Sequence, residues 1–131
     1  MKRAERASPF ESVNNIRPHQ LGQGINARAI EAERMTIAVI DLDPGADLPE
    51  HHHENEQLGF VIAGSITMRI GTEQRELHPG DMYAIPSDVP HEALAGPEGC
   101  TVADVFAPPR ADWRDMKRSD PVPGRWPERR S

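Results

Sequence analysis

The sequence is short of cysteine, of aromatic residues and of long apolar runs. Its 131 residues contain one cysteine, Cys100, so no disulfide can form within the chain. Aromatic residues make up 5% and hydrophobic residues 37% of the chain, which leaves material for only a small core. No apolar run approaches the ~20 residues that cross a bilayer, and the opening MKRAERASPF lacks the apolar stretch of a signal peptide. We therefore expect one domain, no membrane contact and a cytoplasmic location.

The chain also has no excess of positive charge. The formal net charge is -6 at pH 7, and the first 109 residues carry 17 acidic and 8 basic side chains. Nucleic acids are bound through basic surfaces that neutralise phosphates, so we expect no nucleic-acid partner. Residues 110–131 are basic in balance, and we expect them to form a solvated tail.

Proline, in contrast, is abundant, with 13 residues in the chain. Because proline ends helices and marks turns, this composition disfavours a helical bundle and favours an all-β domain. Short β-branched and apolar runs predict strands at 35–41, 57–62, 65–70, 74–77, 82–85, 91–93 and 100–106. A hairpin turn is expected at Ala63-Gly64, and a further turn at residues 96–99. Many short strands at this spacing indicate a sandwich or a closed barrel.

The strand pattern also sets the expected domain boundaries. Residues 1–15 are polar and are expected to form a flexible segment, and the β domain spans residues 16–109. In the tail, residues 110–131, a short helix is possible at 111–118, followed by irregular chain. The run from Leu58 to Ile62 is apolar on both strand faces, whereas one barrel wall needs only one apolar face. We therefore expect a homodimer that covers the second face.

Polar residues with the chemistry of a metal site lie between these strands. Side chains two apart in a strand share a face, so His51 and His53 point the same way, as does Gln57 if the extended run continues. His91 follows a proline-bounded loop and can return to the same interior from another strand. Three imidazoles and one amide oxygen form a ligand set for a divalent cation. His52 has the opposite parity and is expected on the surface.

The spacing of these residues resembles that of the cupin superfamily. The first motif of that family, G-X5-H-X-H-X3,4-E-X6-G, is matched by residues 45–64, with Gln57 in place of the glutamate. The second motif, G-X5-P-X-G-X2-H-X3-N, is matched by residues 80–95, except that Asp88 and Ala95 replace a glycine and the asparagine. The resemblance implies a double-stranded β-helix, or jelly-roll, barrel that holds one divalent ion near its mouth. The ion could be Ni, Zn, Fe, Mn or Co.

A narrower resemblance concerns the substrate. The stretch HHHENEQLGF and the segment DVFAPPR at residues 104–110 are similar to the small cupins of pectin and alginate breakdown. Those enzymes open 4,5-unsaturated monouronates to linear ketones and hold their metal with three histidines and one glutamine. The resemblance implies a metal site of His51, His53, Gln57 and His91, with reaction roles for Asp104, Phe106 and Arg110.

The chemistry of these side chains is compatible with an anionic sugar as substrate. A neutral Gln57 leaves the metal ion its full positive charge, so the site attracts anions. Asp104, facing an apolar barrel beside a cation, would be a tunable acid or base. Arg110 offers a planar fork for a uronate carboxylate, and Phe106 could pack against a sugar ring.

Other interpretations stay open at this point. A shift of one residue in strand register would turn Asp104 outward and Thr101, Ala103 and Val105 inward. Arg110 could be no more than the exposed start of the tail. The chain could also be a metal-dependent dioxygenase or isomerase of another cupin branch. A third possibility is a non-catalytic small-molecule-binding protein with a structural metal, because a fold does not determine function.

Overall fold

Eight antiparallel β-strands account for just over half of the residues that a computed structural model describes, which are 8–122 and 124–128. Two short 3₁₀ helices, Val13–Asn15 and Ala111–Asp115, flank the strands. The strands are β1 (His19–Gly22), β2 (Ile25–Glu31), β3 (Thr36–Leu42), β4 (Asp47–His51), β5 (Glu56–Ile70), β6 (Glu73–Leu77), β7 (Met82–Ile85) and β8 (His91–Ala107). The prediction of an all-β domain is confirmed.

Parts of the predicted terminal segments lie outside the described residues: 1–7 of the flexible segment, and 123 and 129–131 of the tail. In the part of the chain that is described, no helix has the length and apolar character needed to cross a membrane.

The two longest strands, β5 and β8, pair with each other and belong to both walls of a jelly-roll barrel. The first part of β5 pairs with β7, and its last part pairs with β6. In the same way, the first part of β8 pairs with β4, and its last part pairs with β3, which continues to β2 and β1. The two walls therefore share β5 and β8, and the apolar side chains between them form one core.

The hairpin expected at Ala63-Gly64 is wrong. The chain continues there as β5, and β8 likewise runs through the turn expected at residues 96–99. At both positions the pairing between the two strands shifts register, and residues 96–99 of β8 lie opposite the single residue Ser65 of β5. Gly64 has a φ of 76°, and a Cβ atom on it would lie 2.0 Å from the carbonyl oxygen of Gly99. Glycine here lets the two backbones approach closely at a bend. In the sequence, a glycine needed for such an approach looks the same as a glycine needed for a turn.

The beginning of the predicted tail packs against the barrel. The helix expected at residues 111–118 is shorter, a 3₁₀ helix over Ala111–Asp115. Its Trp113 is buried, and the indole ring lies 5.2 Å from the Phe106 ring. His19 of β1 also forms a bridge with Arg118. Burial of a large aromatic ring is a strong apolar contact, so this segment is held at one mouth of the barrel.

Gly64→Ala is expected to destabilise the barrel more than Gly45→Ala does. Both glycines have a positive φ, 76° and 71°, so each variant carries a similar backbone strain. A Cβ atom at Gly45 would meet nothing within 4 Å, whereas one at Gly64 would overlap the Gly99 carbonyl. The additional loss for Gly64→Ala should be about 1–3 kcal/mol in the free energy of unfolding, measured in urea. Equal losses in the two variants would contradict the close approach.

Candidate metal centre

Three histidines converge in the barrel mouth where Trp113 packs. His51 ends β4, His53 lies two residues further on, and His91 begins β8, where its backbone is paired with that of His51. The ring centroids are 4.2 Å apart for His51 and His91, 4.9 Å for His53 and His91, and 5.7 Å for His51 and His53. One ligand nitrogen from each ring lies within 4.8 Å of the others. The cluster therefore has the dimensions of a metal site.

Backbone carbonyl groups hold the Nδ1 atom of every ring in the cluster. The distances are 2.9 Å from His51 to the Pro49 oxygen, 3.0 Å from His53 to the Asn55 oxygen, and 2.8 Å from His91 to the Val89 oxygen. A carbonyl oxygen can only accept, so each Nδ1 carries the proton and each Nε2 has a free lone pair.

The Nε2 atoms of two of these rings are the clearest sign of a missing partner. In the described residues, Nε2 of His53 and Nε2 of His91 are buried and have no hydrogen-bond partner. Burial of an unpaired polar atom costs free energy, which a bound cation would recover. Burial also lowers the pKa of His91 to about 4. It lowers the pKa of His53 as well, and the positive charge of Arg110 lowers that pKa further. Neutral imidazoles are the metal-binding form, so these residues fit a divalent ion.

A buried carboxyl group lies beside the cluster. Asp104 is 3% exposed; it accepts a hydrogen bond of 3.0 Å from Gln57 Nε2 at one oxygen and a hydrogen bond from the Tyr83 hydroxyl at the other. Burial raises the pKa of Asp104 to about 7, although both hydrogen bonds and the Arg110 charge oppose the shift. Such a carboxyl can take up or release a proton at neutral pH. With Nε2 engaged, the Oε1 of Gln57 is available to an ion.

Gly59 makes room for the contact between Asp104 and Tyr83. Its backbone is paired with Tyr83 on one side and with Asp104 on the other. A Cβ atom at Gly59 would lie 1.9 Å from Asp104 Oδ1 and 2.6 Å from the Tyr83 hydroxyl oxygen. Tyr83 is not among the residues that the sequence predicts for the site. A glycine within a strand, which often marks a close approach, was the available signal.

Arg110 contacts two adjacent aromatic rings at the same mouth. Its Cζ atom is 4.8 Å from the centroid of the Phe106 ring and 4.6 Å from that of Trp113. Phe106 in turn has its ring edge-on to His53, with a centroid separation of 5.9 Å. Trp113 was not predicted as a site residue, because its place depends on how the 3₁₀ helix docks. The two ring centroids are themselves 5.2 Å apart, so the rings lie side by side, and each makes a cation–π contact with the guanidinium.

A cavity of about 260 Å³ connects these groups. The residues singled out in the sequence that line it are His51, Gln57, His91, Asp104, Phe106 and Arg110. The imidazole of His53 adjoins them through its contacts with His91 and Phe106. His52 lies apart from them, with a side chain that is 65% exposed and near Asp88. The structure therefore brings together all the residues expected in the site.

An antiparallel jelly-roll barrel with a histidine cluster in one mouth defines a cupin. The family model of the cupin domain matches residues 38–106, and the chain belongs to this family.

Comparison with individual proteins shows which cupins this chain resembles. The chain is 31% identical over 96 residues to the pectin degradation protein KdgF of Dickeya dadantii, a match covering 72% of this chain and 87% of that protein. It is 30% identical over 83 residues to the dimethylsulfoniopropionate lyase DddW of Ruegeria pomeroyi, covering 63% of this chain and 55% of DddW. The solved structure of KdgF from Halomonas sp. is similar, with a TM-score of 0.74 and 27% identity over 81% of this chain and 98% of that one. The chain is thus a cupin that resembles those of pectin degradation.

Untagged protein is expected to retain about one divalent ion per chain, because the histidine cluster supplies preorganised imidazole ligands. His91→Ala should lower the metal content to less than about a tenth of that value, since it removes a buried ligand. His52→Ala is the matched control: it deletes an exposed imidazole one residue from His51 and His53 and should leave the content unchanged. Elemental analysis after exhaustive dialysis measures all three proteins. An unchanged ion content in His91→Ala would contradict the site.

Proposed function

We propose that the chain is a metal-dependent enzyme that converts 4,5-unsaturated uronates, which are small anionic sugars, into linear keto-uronates. The observation that carries the proposal is that Asp104 and Arg110 line the same cavity as the histidine cluster. Neither side chain points to bulk solvent, since Asp104 is 3% exposed and the Arg110 side chain 11%. The resemblance to KdgF, a protein named for pectin degradation, supports the substrate class.

In this proposal the residues that would hold the ion are His51, His53 and His91, through Nε2, and Gln57, through Oε1. All four ligands are uncharged, so the ion keeps its full positive charge and favours an anionic substrate. When bound, such an ion supplies Lewis acidity: it binds substrate oxygens and stabilises negative charge that develops on them. Its identity among Ni, Zn, Fe, Mn and Co is a question for elemental analysis, because this ligand set suits several of them.

The reaction is an isomerisation in which one proton changes place. The hydroxyl group at C1 loses its proton, the bond between C1 and the ring oxygen breaks, and C4 of the former double bond gains a proton. The product has an aldehyde at C1 and a ketone at C5, with no gain or loss of atoms. We assign Asp104 to carry this proton, since its carboxyl group lines the cavity beside the histidine cluster and can accept and return a proton there.

The other two residues bind the substrate in this proposal. The guanidinium of Arg110 pairs with the uronate carboxylate, for which its planar arrangement of donors is suited. The ring of Phe106 lines the cavity and would give the sugar ring an apolar surface. Together they would orient the substrate with its reacting carbons toward Asp104.

Asp104→Asn should lower kcat on 4,5-unsaturated galacturonate by at least about 100-fold, because an amide cannot carry the proton. The variant preserves the shape of the side chain and should keep the wild-type metal content. Disappearance of the ultraviolet absorbance of the conjugated double bond measures turnover. Arg110→Gln should act mainly on KM, raising it by about tenfold or more, because it removes the carboxylate-binding charge.

Arg114→Gln is the control for Arg110→Gln. Its guanidinium is exposed and paired with Glu31, so its loss removes the same charge from the same 3₁₀ helix region without touching the cavity.

Wild-type turnover in Asp104→Asn would contradict the assigned role. Metal-loaded wild-type protein that leaves the unsaturated uronate intact would contradict the function itself. Oxygen uptake by that protein would favour the dioxygenase alternative.

We also propose that the chain forms a homodimer through an outer sheet face. Large apolar side chains project from neighbouring strands on this face: Ile37, Leu58, Phe60 and Met82 are 49%, 57%, 42% and 76% exposed. Strand pairing puts Leu58 in one row with Ile37, through Val105 between them, and puts Phe60 opposite Met82. A contiguous apolar face of this kind is typical of an interface between protein chains.

Leu58→Lys is expected to convert the dimer into a monomer, because it introduces a charge at the centre of the apolar face. Leu94→Lys is the matched control, since Leu94 is exposed to a similar degree, 49%, but lies in the other part of β8 that pairs with β4. Light scattering at micromolar concentration gives the mass in solution. A wild-type mass of 14.6 kDa would contradict the dimer.

A further inference from the structure

We propose that Asp112 is a positioning residue: it holds one edge of the Arg110 guanidinium and so presents the opposite edge to the metal cavity as a subsite for a carboxylate. This inference rests on the proposed function, because the ligand carboxylate that Arg110 binds is taken to be that of a uronate. Asp112 itself does not line the cavity, and its side chain is 57% exposed, whereas that of Arg110 is 11% exposed. The aspartate therefore lies on the solvent side of the guanidinium.

The contact between the two side chains is a two-point fork. Nε of Arg110 donates to Oδ1 of Asp112 at 3.1 Å, and Nη2 donates to Oδ2 at 2.9 Å. Two parallel charge-assisted bonds define an orientation, which a single ion pair does not. The hydrogen bonds from Arg110 also lower the pKa of Asp112, so its carboxylate stays charged.

The other contacts of Arg110 do not by themselves orient the guanidinium. The rings of Phe106 and Trp113 both contact it, but their centroids are only 5.2 Å apart, so they lie side by side and do not enclose it from opposite faces. The backbone N–H of Arg110 donates a 3.0 Å hydrogen bond to the hydroxyl of Thr36, a buried residue, which fixes the backbone at this position. The fork to Asp112 is the contact that defines the orientation of the guanidinium.

The edge turned away from Asp112 is free to bind. A guanidinium has five N–H donors, of which the fork uses two. Within residues 8–122 and 124–128, Nη1 of Arg110 has no acceptor. The two N–H groups of Nη1 and the second N–H of Nη2 can thus receive a substrate carboxylate end-on. Arg110 can then hold two carboxylates at once, one from Asp112 and one from the ligand.

Without Asp112, the guanidinium would have a competing partner inside the cavity. Asp104 lines the same cavity and is close enough for the charge of Arg110 to lower its pKa. A direct pair between them would bury both charges together and occupy the carboxyl group that we assign to proton transfer. The fork to Asp112 keeps Arg110 directed away from that pairing. Asp112→Asn should therefore weaken ligand binding even though it removes a negative charge near an anion site.

The test uses the full-length chain loaded with zinc, in two measurements. The first is the 15N heteronuclear NOE of the Arg110 Nε–H group, identified by its absence in Arg110→Gln. It should be close to backbone values in the wild type and should fall markedly in Asp112→Asn. The second is calorimetric titration with galacturonate, a saturated uronate that lacks the reactive double bond. Its Kd should rise about tenfold in Asp112→Asn, whereas binding of galactose, which has no carboxylate, should not change.

Asp115→Asn is the matched control, because it removes the same charge from the same 3₁₀ helix without a hydrogen bond to Arg110. It should leave both measurements unchanged. In an Arg110→Gln background, Asp112→Asn should have no further effect on galacturonate binding, which a general structural defect would not reproduce.

Three results would overturn the inference: an unchanged NOE in Asp112→Asn, galacturonate binding as tight as or tighter than in the wild type, or a wild type that binds no galacturonate. Tighter binding would mean that Asp112 competes with the ligand. If the wild type binds galacturonate through Arg110 and Asp112 but does not convert the unsaturated uronate, the proposed function fails and the positioning role stands.

Discussion

The antiparallel pairing of β5 with β8 is the constraint on which the whole site depends. Gln57 and Gly59 lie on β5, and His91, Asp104 and Phe106 lie on β8. The register puts Gln57 opposite Phe106 and Gly59 opposite Asp104. Because neighbours across a ladder are only about 5 Å apart, this register determines which side chains can touch. A register shift of one residue would turn the Asp104 side chain to the outer surface, and the site would be lost.

The buried polar side chains explain why β5 and β8 must pair in one fixed register. A buried carboxyl group is costly unless it is hydrogen-bonded, and Asp104 has bonds from Gln57 and Tyr83. The bond from Tyr83 exists only because Gly59 has no side chain at this point. At the histidines the backbone satisfies each Nδ1, and the buried Nε2 atoms of His53 and His91 have no partner among the described residues. The chain therefore stabilises the carboxyl group by itself, whereas these two imidazole nitrogens have the chemistry to bind an ion.

The sequence alone predicted the parts of the site that depend on local geometry. His51 and His53 share a face because strand parity has a period of two, and the glycines around them gave the family resemblance. Parity could not decide whether Asp104 points inward, since that depends on pairing with β5. The error at Gly64 has the same origin: a positive φ suits a turn and a bulge equally well. Only the partner strand, with Gly99 opposite, distinguishes them.

Contacts made by residues 110–118 were beyond prediction for a different reason. A 3₁₀ helix of five residues has little stability of its own, so its position is set by what Trp113 packs against. That docking decides whether Arg110 is the exposed start of a tail or the wall of a cavity. It also brings the carboxylate of Asp112 to the solvent side of the guanidinium. Burial of the Trp113 indole thereby makes a charged, irregular segment part of the cavity wall and places the charge of Arg110 at the cavity.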